Sequence, residues 1–111
     1  MQRLFAALAA VLFAIQAAPA LACQPFGAVE IEKLRAAGMP VELVEGEIAA
    51  RVLTELRRRV EIDADPTRLV IVFGGEGAGI GLIYGEALCA IVSGPARETR
   101  EMLRQARGQP S

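Results

Sequence analysis

The chain predicts a small α+β domain of two layers, a three-stranded antiparallel meander packed with about three helices, behind an N-terminal signal peptide. Three observations carry this expectation. An apolar run without charge opens the chain over residues 4–15, a strong helical period fills residues 47–60, and short β-branched runs separated by glycines fill residues 69–92. Helical stripes of period 3.6 beside strand-length runs bounded by turn residues are the marks of helices packed on a hairpin sheet.

The first segment reads as an address. Residues 1–22 hold 18 apolar residues, with Arg3 before the run and Pro19-Ala20-Leu21-Ala22 after it. A charged start, an apolar stretch of about a dozen residues and an A-x-A site describe a secretory leader. Cleavage after Ala22 divides the chain into a leader over 1–22 and a single domain over 23–111. Pro19 and the small residues Ala20 and Ala22 speak against an uncleaved membrane anchor. The expected location is therefore outside the cytoplasm, periplasmic or secreted.

Cys23 would then be the first residue of the exported chain, which admits two chemistries. One is bacterial lipidation, which would anchor the protein in the envelope; Ala20 and Leu21, however, stand in the reverse of the usual order for a lipidation site. The other, which we favour, is a Cys23–Cys89 disulfide, since the chain has two cysteines and an exported domain sits where disulfides persist. Closing that loop would contribute about 4 kcal/mol in the chain-entropy view.

The elements follow in order. Residues 23–27 read as an irregular lead-in. A helix over 28–37 offers Val29 and Leu34 to the core and stops at Gly38. Val41-Glu42-Leu43-Val44 is a short strand or extended connector. The helix over 47–60 carries Ile48, Val52, Leu53, Leu56 and Val60 as its apolar stripe. Its i, i+4 pairs are Glu47–Arg51, Arg51–Glu55 and Glu55–Arg59, and Arg57-Arg58-Arg59 lies at the end that the helix dipole favours for cations. Asp63 and Asp65 suggest calcium, but the glycine and glutamate that an EF-hand loop requires are missing from the positions that follow.

Strands are expected over 69–73, 80–84 and 87–92, with Gly85-Glu86 as a two-residue type II′ turn. In the last strand, alternation places Ala87, Cys89 and Ile91 on one face and Leu88, Ala90 and Val92 on the other. Both faces are apolar, so the strand is either covered twice or has one face waiting for a partner. Pro95 is expected to open a final helix that buries Thr99, Met102, Leu103 and Ala106 and ends before Gly108.

The stretch Gly74-Gly75-Glu76-Gly77-Ala78-Gly79-Ile80-Gly81 stands apart. It has neither the spacing of a dinucleotide-binding turn nor the Gly-Lys-Ser/Thr of a P-loop. The simplest reading is a wide, flexible hairpin loop. A sharper one takes Gly75, Glu76, Gly77, Gly79 and Gly81 as a contact surface for a partner protein, because glycines two apart give an extended chain a face without side chains. Gly77, Gly81 and Gly85 also match a membrane helix-packing pattern, but Glu76 and Glu86 would be costly in hydrocarbon.

Composition narrows the chemistry. Twelve basic against 13 acidic residues leave no basic footprint for nucleic acid. No histidine occurs, so triads and zinc sites that use imidazole are excluded, and two cysteines cannot build a four-thiolate centre. No cofactor or metal is expected. A carboxylate-dependent enzyme would have to use Glu76 and Glu86, which a meander places at opposite ends of its middle strand. The sequence therefore points to a small exported, non-enzymatic binding or accessory protein acting by protein–protein contact. A membrane enters only through a lipidated Cys23 or an uncleaved leader.

Overall fold

The computed structural model describes residues 23–109, and the leader read over 1–22 lies outside them. Among the described residues the elements run β1 (Gln24–Pro25), α1 (Ala28–Ala36), β2 (Val41–Val44), α2 (Gly46–Arg57), β3 (Arg68–Gly74), β4 (Gly77–Tyr84), β5 (Ala87–Pro95) and α3 (Ala96–Ala106). They form an α+β domain with one antiparallel sheet in the order β1-β5-β4-β3-β2. The expected meander is its centre, β3-β4-β5. Two further strands lie at its edges: the supposed lead-in supplies β1, and Val41–Val44 pairs along β3. Both are too short to show a period in sequence; backbone pairing alone defines them.

The sheet is covered on both faces, so the two-layer expectation is corrected to three layers. On one face α2 and α3 pack over Leu69, Ile71 and Phe73 of β3 and Ala78, Ile80 and Leu82 of β4, the larger core. On the other face α1 sets Ile31 against Val41, Val70 and Ile83, a much smaller core. The cause is visible in β3, where every residue from Leu69 to Phe73 is apolar, as befits a strand buried on both sides.

α2 behaves as its pattern predicts. Ala49, Val52, Leu53 and Leu56 are buried at i, i+3, i+4 and i+7, while Ile48 and Val60 pack at the margin. The helix ends at Arg57, so Val60 lies beyond it. α3 buries Thr99, Met102, Leu103 and Ala106, as expected, and Ala96 as well. Pro95 belongs to β5 and precedes the helix. The Thr99 hydroxyl donates to the Pro95 carbonyl at 3.0 Å, which satisfies the one buried polar side chain among the described residues.

α1 differs from expectation. Val29 is 63% exposed and Ile31 is buried, with Leu34 packed beside it. Ile31 and Leu34 are i, i+3 neighbours on one face, whereas Val29 lies about 200° round the helix from Ile31. The Glu30 carboxylate accepts the Gly27 N–H at 2.8 Å, half of a capping box, and this bond holds its pKa below the ordinary carboxylate value.

The arginine run is consumed within the fold. Arg57 donates to Asp65 and to the Ile62 and Ala64 carbonyls, Arg58 pairs with Glu55, and Arg59 pairs with Glu55 and Glu98. Glu47–Arg51 also pair. Arg51 donates to the Ala106 carbonyl at 2.9 Å and so ties the end of α3 to α2; no Arg51–Glu55 pair forms among the described residues.

The Cys23–Cys89 disulfide is present, closing 66 residues of sequence. It extends the ladder in which Gln24 and Pro25 face Leu88 and Ala87, and the Phe26 N–H adds a bond to the Glu86 carbonyl at 2.8 Å. A two-residue strand cannot hold itself in place, so the covalent bond fixes where the chain enters the domain. A sulfur held in this bond cannot also carry a thioether-linked lipid. Among the described residues no helix is long and apolar enough to cross a membrane.

Two outcomes test this account. Denatured, unreduced protein should show no free thiol, and Cys89→Ala should lower stability by about 2–5 kcal/mol in urea titrations. Tyr84, the only tyrosine, donates to the Ala64 carbonyl at 3.4 Å, and burial raises its pKa above 10.0, with Asp63 and Asp65 adding to the shift and Arg57 opposing it. Because the neutral phenol is favoured in the fold, its contribution is complete below the ordinary tyrosine value and is lost as pH rises through the folded one. Phenolate absorbance should therefore titrate later in native than in denatured protein.

Candidate binding groove

Two Gly-Glu dipeptides set the limits of β4. Gly74 pairs with Gly77 and Tyr84 with Ala87, which leaves Gly75-Glu76 and Gly85-Glu86 as two-residue turns. Gly75 has φ +63° and Gly85 φ +68°, while no non-glycine residue described has positive φ; this is the sign pattern of a type II′ turn. The wide loop expected over 74–81 is thus corrected to a tight turn followed directly by strand. Thr67 secures the second turn, its hydroxyl accepting the Gly85 N–H at 3.0 Å.

Within β4 the side chains alternate in size as well as direction. Ala78, Ile80 and Leu82 enter the larger core. Gly77, Gly79 and Gly81 take the α1 face, where they leave a trough between β3 and β5. Its floor is the backbone at Gly79 and Gly81, its sides are Val70 and Val72 of β3 and Leu88 and Ile91 of β5, and Phe26, Leu34 and Met39 stand along its rim. The hollow measures about 330 Å³, at the small end of ligand-sized clefts. Every lining residue is apolar, and Met39 and Ile91 are exposed by 41% and 38%.

The glycines are not interchangeable. A Cβ at Gly81 would lie 2.6 Å from Leu88 Cδ1 and 2.7 Å from Val70 Cγ1, while one at Gly79 would lie 3.3 Å from Ile91 Cγ2. At Gly77 the nearest atoms are carbonyl oxygens at an ordinary 3.8 Å. Gly81 is therefore a site of close packing, Gly79 the open floor, and Gly77 a position with room for a side chain.

The side walls depend on a bulge. Leu82 faces Ala90 but Ile83 faces Leu88, so Cys89 is an extra residue on β5. The inserted residue resets the alternation. Leu88 joins Ile91 on the groove face, while Ala90 and Val92 pack into the larger core. This corrects the expected grouping of Leu88 with Ala90 and Val92.

The five residues singled out in the sequence separate accordingly. Gly79 and Gly81 form the groove floor, and Gly77 lies on the same face nearer the turn. Gly75 and Glu76 lie at the turn itself, where the Glu76 carbonyl accepts the Ala96 N–H at 2.8 Å. They line a separate polar hollow of about 430 Å³ with Arg97 and Arg100. Arg100 lies 4.8 Å from the centroid of the Phe73 ring, a cation–π contact. β4 is paired on both sides, so strand addition cannot take place at its glycines. Of the walls, Val70 and Val72 follow from alternation in β3, whereas Leu88 shares a face with Ile91 only through the bulge.

The two carboxylates that the sequence offers as a catalytic pair do not meet. Glu76 and Glu86 are separated by the length of β4, about 25 Å at 3.3 Å per residue. Among the described residues no three His, Cys, Asp or Glu side chains are grouped to hold a metal. No protein-family model matches the chain, and no curated protein or solved structure matches it.

The floor can be tested directly. Gly81→Ala should destabilise the domain by about 1–3 kcal/mol through overpacking against Val70. Gly77→Ala should change stability by less than about 1 kcal/mol. Urea midpoints of the two variants measure the contrast.

Proposed function

We propose that this is a small exported binding or accessory protein that acts by protein–protein contact, with the groove beside Gly79 and Gly81 as its contact surface. The observation that carries this reading is an apolar trough with a bare backbone floor. Such a surface recognises by shape and burial, and it offers no acid, base or nucleophile to a substrate. The disulfide and the leader-like start both fit a protein that works outside the cytoplasm. A partner's apolar side chain laid on Gly79 would bury Met39 and Ile91, two of the most exposed large apolar side chains in the domain.

The test begins with the protein recovered from the exported fraction, whose intact mass should correspond to a chain starting at Cys23 without added lipid. That protein, immobilised, should retain a partner from the same fraction. Met39→Glu places a charge on the rim without entering a core. It should weaken retention about tenfold or more with unchanged thermal unfolding. Equal retention by both forms would remove the groove from the interaction, and an intact Met1 terminus in the membrane fraction would overturn the export reading.

A further inference from the structure

β5 is nine residues long, but β1 pairs with only two of them, Ala87 and Leu88. On its other side β5 pairs with β4 along its length. The bond from Ala96 N–H to the Glu76 carbonyl sets the alternation of that ladder. Residue 96 faces β4, as do Gly94, Val92 and Ala90, so Ile91 and Ser93 turn their N–H and C=O groups away from it. Among the described residues no strand meets those groups. This open edge is five residues long, bounded by the disulfide at Cys89 and by Pro95, which has no N–H to offer.

We infer that this edge pairs antiparallel with the same edge of a second copy of the chain, centred on Val92. Charge selects that occupant. Edge strands of monomers are commonly guarded by charged residues, lysine above all, or by prolines and bulges; here the bulge at Cys89 and Pro95 stand only at the two ends, residues 87–96 carry no charged side chain, and the only lysine, Lys33, lies on α1. In a two-fold antiparallel contact the central residue faces its own copy and its immediate neighbours lie close to theirs, so a charge near the centre would meet its like across the axis. An uncharged strand meets no such repulsion in self-pairing, whereas a different partner strand could be matched by opposite charge. Register follows from the outward groups. Ile91 opposite Ser93 of the second copy, and the reverse, gives four backbone hydrogen bonds, and the five-residue opening matches the five residues that the second copy presents.

The axis relating two antiparallel edge strands runs perpendicular to the sheet, so both α1 faces lie on the same side. The two grooves, each ending at Ile91, then adjoin across the axis as one longer trough. Self-pairing does not depend on what fills the groove.

Sedimentation equilibrium of the oxidised exported protein over a concentration series, with amide hydrogen exchange on the same samples, tests this. The mass should rise toward twice that of the monomer, and the Ile91 and Ser93 amides should become protected as it does. Ser93→Pro removes an N–H that faces away from β4, and Ile91→Lys puts like charges about the axis. Each should move the dimerisation midpoint about tenfold or more to higher concentration, with a native circular-dichroism spectrum. Met39→Glu should leave that midpoint where it is, so failure of the groove and failure of the edge are separate results. A monomer at every concentration would overturn the inference. So would a dimer in which both amides exchange as in dilute protein, or a peptide of another protein found seated on the edge.

Discussion

A strand in the middle of the sheet with side chains on only one face for half its length shapes this molecule. β4 gives Ala78, Ile80 and Leu82 to one side and only backbone at Gly77, Gly79 and Gly81 to the other. The consequence is two cores of unequal size. α2 and α3 can both settle on the filled face, whose strands offer them an apolar surface. α1 faces a partly hollow surface, reaches the sheet through Ile31 and Leu34, and leaves the space beside it open.

Three of the arginines are spent on structure. Arg51 satisfies the end of α3, Arg57 gathers the loop before β3, and Arg59 joins α2 to Glu98 at the start of α3. Exposed pairs of this kind contribute little individually, at most about 1 kcal/mol. Their effect here is geometric: they hold the two helices of one layer in register, so that layer behaves as a unit.

How much of this was legible in the sequence depended on the length and regularity of each signal. α2 and α3 repeat their apolar positions over three turns, and their buried faces follow from spacing alone. The Gly85-Glu86 turn was legible because a glycine in first place between two strands has few alternatives. The earlier Gly75-Glu76 turn obeys the same rule but was masked by the glycines after it, which look like loop although they are strand. β1 and β2 have too few residues to carry a period. The bulge at Cys89 has no local signature at all, since an extra residue in a strand shows itself only against its partner, and it moved Leu88 to the opposite face from the one alternation assigns. Of the site, the glycine floor was visible as a pattern of twos, while its walls required the pairing.

The inequality of the two cores has a consequence for the order in which the domain comes apart. Opening free energy follows the apolar contact that an opening gives up. The layer of α2 and α3, latched to β3 and β4, defines the most protected cooperative unit. α1, with Ile31 as its one fully committed side chain, belongs to a unit of lower opening energy that can lift from the sheet while the rest stays closed. Both of its ends are held by backbone bonds, past Gly38 through β2 to β3 and before Gly27 through β1 to β5, and the second alone adds a covalent tie, Cys23–Cys89. An opening of α1 therefore leaves its N-terminal end bound to β5, and the disulfide shortens the loop that closing has to restore.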